Sequence, residues 1–209
     1  MKKLIQLVLA IAIAGLIYWI YVLISTPILF EKEKAVRDAE VVAHLKEVRK
    51  AQRAYKSKYQ VFADDFDTLI DFVMNDSLEL IRKIVDEDDS VAMAQLKLTG
   101  QKNVESYFVH VIDTVFAPSK LSVEDVKNIR YIPGTQTEYT LYTGQIMTDS
   151  KVQVAVVECV APYKEYLDTV KYRQLIINLI DTDFNVYGRY PGLKFGSMSG
   201  GNNEAGNWE

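Results

Sequence analysis

Cysteine and histidine are nearly absent from this chain of 209 residues, which holds one Cys, Cys159, and two His, His44 and His110. A lone thiol cannot close an internal disulfide, so it gives no sign of redox compartment. Cys159 also stands too far along the chain to be a lipid-modified first residue. It falls in an apolar strand-like pattern without a His at any motif spacing, which reads as a buried structural thiol. His44 and His110 lack the converging partners that a metal site or a general base needs. No Gly-rich phosphate loop, nucleophile elbow or metal-ligand cluster occurs. An excess of basic charge is missing too, with 24 Lys and Arg against 28 Asp and Glu and a net charge of -4. Nucleic acid is bound by releasing counterions from phosphates onto a basic surface, so that partner is not expected. These absences predict a protein that is not an enzyme, with no cofactor, no metal and no small-molecule substrate.

The acidic runs do not reverse that reading. Asp86, Glu87, Asp88 and Asp89 have the density of a calcium loop, but an EF-hand needs glycine at its sixth position, where Val91 stands. A solvated acidic loop is the expectation. Asp64, Asp65 and Asp67 read as caps and favourable charge at a helix N-terminus.

One long hydrophobic run is present. From Leu4 to Ile24 the only strongly polar side chain is Gln6, and about 20 helical residues at about 1.5 Å each cross a hydrocarbon layer of about 30 Å. The run exceeds a signal-peptide core and no A-x-A-like site follows it, so a retained anchor is expected. Lys2 and Lys3 precede the span, and Tyr18, Trp19 and Tyr21 cluster toward its far end, where amphipathic rings favour the headgroup layer. This pattern predicts a cytoplasmic N-terminus and a domain on the other side. Lys32, Lys34 and Arg37 weigh against that orientation, partly offset by Glu31 and Glu33.

Pro27 predicts a kink or pause after the span. Between Glu31 and Tyr59 there is no Gly or Pro, and Val41, Leu45, Val48, Tyr55 and Tyr59 recur at helical spacing, predicting a long amphipathic helix. A short helix follows through Phe66, Leu69, Ile70 and Val73, capped by Asp64 or Asp65. A further helix is expected through Leu78, Leu80, Ile81, Ile84 and Val85, with residues 90–99 open between helix and strand and 104–116 read as strand. Ser122 can cap a helix carrying Val123 and Val126. Strands are expected at 129–132 and 138–146, and again from Val152 to Cys159 after a turn near 148–150. A last helix carries Leu175, Ile176, Leu179 and Ile180, and a short strand lies around 193–195. Residues 196–206 are rich in Gly, Asn and Ser, which fits either a flexible tail or an irregular docked loop.

The segment from Ala35 to Leu69, AVRDAEVVAHLKEVRKAQRAYKSKYQVFADDFDTL, resembles the first helix of type IV pilins and pseudopilins and the turn after it. The family pattern R-x-A-Q-x-A-Y, an aromatic turn and an acidic residue before leucine is met by Arg49, Ala51, Gln52, Ala54, Tyr55, Phe62, Asp67 and Leu69. The resemblance implies a membrane helix running into a long helix packed on an antiparallel sheet. It covers about a quarter of the chain. The span departs from the family in having Gly15 at its middle and no acidic residue, where prepilins carry a glycine before the peptidase cut and an early glutamate. Gln60 stands where pilins usually carry glycine.

Together these readings predict an α+β protein: an anchor over 1–30, a pilin-like periplasmic domain over 31–195 and a Gly/Asn-rich tail over 196–209. It would sit in a bacterial inner membrane as a structural or assembly subunit, or as a tethered accessory of a secretion or envelope complex. Its expected partners are the lipid bilayer and other envelope proteins or further copies of itself. The candidate contact residues are Lys46, Arg49, Lys50 and Arg53, whose basic helix face could meet the acidic stretch 64–89 within one molecule or between neighbours, and Trp208. Thirteen tyrosines, several near turns (Tyr131, Tyr163, Tyr166, Tyr187 and Tyr190), fit interfaces and core edges equally.

Overall fold

The computed structural model describes residues 2–86, 88–100, 102–117, 121–148 and 150–209. Glu87 and the middle of the 148–150 turn lie outside them. One helix, α1 (Lys2–Tyr59), takes up the first quarter of the chain. It has no break at Pro27, contrary to the expected pause. The proline removes the donor that would have met the Leu23 carbonyl, and the helix nonetheless carries on past the ring. From residue 2 to residue 29 α1 is bare apart from half-buried Ser25 and Thr26. From Phe30 onward it has one inward stripe, with Val41, Leu45, Val48 and Ala51 fully buried.

The stripe faces a three-stranded antiparallel sheet in the order β3 (Thr140–Met147), β4 (Gln153–Pro162), β5 (Gly192–Gly196). Val157, Cys159, Ala161, Leu193 and Phe195 on the inner face of β4 and β5 close the core with it. Helix α2 (Phe66–Asn75), capped by the Asp65 carboxylate through Thr68 N–H at 2.6 Å, adds Phe66, Leu69, Phe72 and Val73 to the same core.

The chain then leaves the core as an arm: β1 (Ser77–Arg82), α3 (Ser90–Thr99), β2 (Glu105–His110), with β1 and β2 antiparallel. The helix expected through Leu78 and Ile81 is thus a strand. Its six residues pair one for one with β2, from Ser77 opposite His110 to Arg82 opposite Glu105, a partner too distant in sequence to be read locally. The strand expected over 104–116 stops at His110, where α4 (Val111–Val115) turns Val111 and Phe116 into the core. Helix α5 (Val123–Lys127) has a full capping box between Ser122 and Asp125. Residues 129–132 form no strand. Tyr131 N–H closes a turn on the Asn128 carbonyl, and a single bridge from Tyr131 to Glu138 is flanked by Ile132 N–H to the Thr137 carbonyl and Tyr139 N–H to the Arg130 carbonyl. Helices α6 (Tyr163–Tyr166) and α7 (Arg173–Asp181) follow β4, and a π turn (Thr182–Val186) extends α7.

A dense clasp fixes the domain to α1 just above the bare segment. Arg37 donates to the carbonyls of Pro133 at 2.7 Å and Tyr166 at 3.3 Å and pairs with Glu40. The Tyr166 hydroxyl donates to Asp38, Lys34 pairs with the same carboxylate, and the Phe30 and Tyr172 rings meet at 5.2 Å. No flexible linker separates the apolar segment from the domain.

Candidate functional site

The lower half of α1 is the first candidate site. It is long and apolar enough to cross a membrane, and none of its most apolar stretch is buried in the protein. Tyr18, Trp19 and Tyr21 stand in its last turns, each about two-thirds exposed (70%, 68% and 68%). Aromatic rings left in the open at this height on an apolar helix suit the boundary between hydrocarbon and headgroups.

The second is the basic face at the other end of α1, and here the C-terminal tail intervenes. Arg49 pairs with Glu209 at 2.7 Å, donates to the Glu204 carbonyl at 3.1 Å, and lies 5.9 Å from the centre of the Trp208 ring. Arg53 bonds the Glu204 carboxylate and the Asn203 carbonyl, and Lys56 reaches the other oxygen of Glu204. Lys50 bonds Glu47 within the helix, while Lys46 is exposed. Of the four cations named from sequence, Arg49 and Arg53 are therefore engaged by the tail. Within the acidic stretch 64–89, Asp76 pairs with Lys58 of α1 and accepts from the Tyr59 hydroxyl. The Lys58 ammonium and the Tyr59 hydroxyl together hold the Asp76 carboxyl down at about 2. Glu204 and Glu209 escaped the sequence reading because about 150 residues separate them from their partners.

The tail is docked, which decides between the two forms open to it. Asn207 N–H bonds the Lys194 carbonyl, its side chain bonds Lys194 N–H and the Gly192 carbonyl, and Gly206 bridges Phe195 at the edge of β5. Trp208 is half-buried against the core, and a β-carbon on Gly206 would fall 2.4 Å from its ring, so only glycine admits the indole there. The Trp208 Nε1 is buried with no hydrogen-bond partner among the described residues. Trp208 is held by packing.

The R-x-A-Q-x-A-Y segment has a structural use. Gln52, buried to 0% exposure, accepts from Ala63 N–H and donates to the Ala63 carbonyl, both at 3.0 Å. It stitches the turn after α1 back onto the helix. Tyr55 packs edge-on against Phe72 of α2 at 5.1 Å. His44 bonds the buried Tyr139 hydroxyl at 3.2 Å, and desolvation lowers its pKa, offset in part by Glu47 and Asp125. Cys159 is fully buried, and burial pushes its thiol up, away from reactivity. Of the tyrosines near turns, Tyr163 and Tyr166 enter the core while Tyr187 is exposed beneath Arg189. Among the described residues no group of three or more His, Cys, Asp or Glu could hold a metal ion.

Compared with known proteins, the chain matches no family model, no curated protein and no solved structure.

Proposed function

We propose that this protein is a membrane-anchored, pilin-like subunit of a bacterial envelope machine, acting through protein contacts and without catalysis. The observation that carries the reading is α1: one uninterrupted helix, bare and apolar in its lower half and built into an antiparallel α+β domain in its upper half. With the R-x-A-Q-x-A-Y segment at the top of that helix, this is the layout that the pilin resemblance implies. In this reading the N-terminus is cytoplasmic, the span lies in the inner membrane and the domain is periplasmic. Electron microscopy of the membrane-extracted protein tests it: ordered filaments are expected, and protease digestion of spheroplasts should remove the domain while sparing the N-terminus.

A second reading is a non-filamentous accessory of a secretion or envelope complex that uses α1 as a stalk. It is favoured by a span with no acidic residue and by the β1–α3–β2 arm, which carries exposed Ile81, Leu98 and Phe108 away from the core. Discrete particles in place of filaments, with a stable second protein, would establish it.

A further inference from the structure

The domain and the span meet at a place the anchor alone does not explain. Leu175 of α7 lines one apolar groove with Trp19, Val22, Leu23 and Pro27 of α1. Counted from Leu4, a helix rising about 1.5 Å per residue reaches the far edge of a hydrocarbon layer of about 30 Å close to Leu23. Leu175 therefore stands level with that edge. The start of α7 is tied to α1 about two to three turns beyond Leu23 by two further contacts: Tyr172 against Phe30, and Lys171 paired with Glu33. With Leu175 in this groove and the start of α7 tied to α1 above it, α7 cannot leave the level of the headgroups unless it parts from α1.

The rest of α7 has the chemistry for that depth. Ile176 points into the core at 2% exposure, and the opposite face presents Gln174, Asn178 and Asp181, all exposed. A polar face of this kind is costly in hydrocarbon but at home among headgroups. Arg173 at the start of α7 and Lys32 on α1 are exposed and make no ion pair or hydrogen bond among the described residues. Long cationic side chains above the hydrocarbon edge reach down to lipid phosphates, and the Leu175 side chain reaches the acyl boundary beside the span.

We propose that α7 is a second membrane contact of this protein: it lies in the phospholipid headgroup layer on the domain's side of the bilayer, with Leu175 seated beside the anchor. The inference rests on the reading of α1 as a membrane span. Its consequence is that the domain is held at one fixed attitude to the membrane by two elements.

The test uses the full chain in nanodiscs of phosphatidylcholine and phosphatidylglycerol. Cys159→Ser removes the native thiol, and an environment-sensitive fluorophore is placed in turn by Leu16→Cys in the span, Leu175→Cys in α7 and Leu98→Cys on the distant arm. Asn178→Cys repeats the α7 measurement should the first site not tolerate the label. The expected result is quenching of the Leu16 label by a chain-borne nitroxide and of the α7 label by a headgroup-borne nitroxide, with a blue shift of both. The Leu98 label should respond only to a water-soluble nitroxide. An α7 label that behaves like the Leu98 label while the Leu16 label is quenched by lipid overturns the inference and leaves the span intact. A Leu16 label that escapes both lipid quenchers overturns the span and this inference with it.

Discussion

Three residues carry much of what is distinctive at the smallest scale. Gln52 is the only amide or charged side chain buried among the described residues, and both of its amide atoms are used on Ala63. Gln52→Leu leaves the Ala63 N–H and carbonyl buried without partners, so it should cost about 2 to 4 kcal/mol. Urea denaturation of the detergent-solubilised protein measures that, and an unchanged midpoint would show that water replaces the amide. Gln60 closes α1 in the left-handed region, at a φ of 62°, with its N–H bonded to the Lys56 carbonyl. A β-carbon is strained there, so Gln60→Gly should stabilise the protein by about 1 kcal/mol, while Gln60→Val should do the reverse. His44 is lowered by desolvation in the folded state. Protonation therefore favours the unfolded chain: the stability that neutral His44 contributes is complete above the ordinary histidine range and is lost as pH falls through its folded value. Melting temperature should decline on acidification from about pH 7 to about pH 5, and His44→Gln should flatten that decline. An equal slope in the variant would assign the decline to other groups.

At the scale of elements, the parts that could be read from sequence are those whose signal is local. The inward stripe of α1, an aspartate cap of α2 at Asp64 or Asp65, the Ser122 cap of α5, the β3–β4 hairpin and the α7 stripe each show their period or cap within about a dozen residues. What failed depended on distant partners. Residues 77–82 become a strand only because residues 105–110 pair with them, and 129–132 turn because Ile129 and Ile132 drop into the core three residues apart. Long-range ion pairing was equally hidden. The basic face of α1 was visible in sequence, whereas its acidic partners in the tail were not. The arm also has the weakest support in the fold: α3 buries no residue, five of the six β2 residues are exposed, and Phe108 is 72% exposed. A two-stranded ribbon with so little apolar cover is marginal by itself. Native-state hydrogen exchange should therefore show residues 77–110 opening at a free energy well below that of β3 and β4. Equal protection in both regions would mean that the arm is tied to the core more strongly than its contacts indicate.

At the scale of the whole molecule, residues 203–209 close the fold: they cover the edge of β5 and the basic end of α1. Two mechanisms compete for that closure, and magnitudes separate them. Glu204 and Glu209 face Arg49, Arg53 and Lys56, but Arg53 and Glu209 remain nearly half exposed, at 46% and 45% of their side chains. Exposed pairs of this kind contribute about 0 to 1 kcal/mol each. Trp208 instead sets its ring against the core and over Gly206; full burial of an aromatic side chain is worth about 1.5 to 3 kcal/mol, and the large indole gains a good part of that even half-buried. Packing should therefore dominate. Truncation after Gly196 and the single change Trp208→Ala should both lower the melting temperature, by roughly 2 to 4 °C for each kcal/mol lost in a domain of this size. The pair Glu204→Gln and Glu209→Gln should cost much less, and its effect should vanish in high salt. Trp208→Phe should be tolerated, because the indole Nε1 has no partner to lose. Thermal melts of these four variants in one detergent decide the matter. If the glutamine pair costs as much as Trp208→Ala, the tail is held by charge, and the basic face of α1 becomes a surface that salt or an acidic partner can uncover.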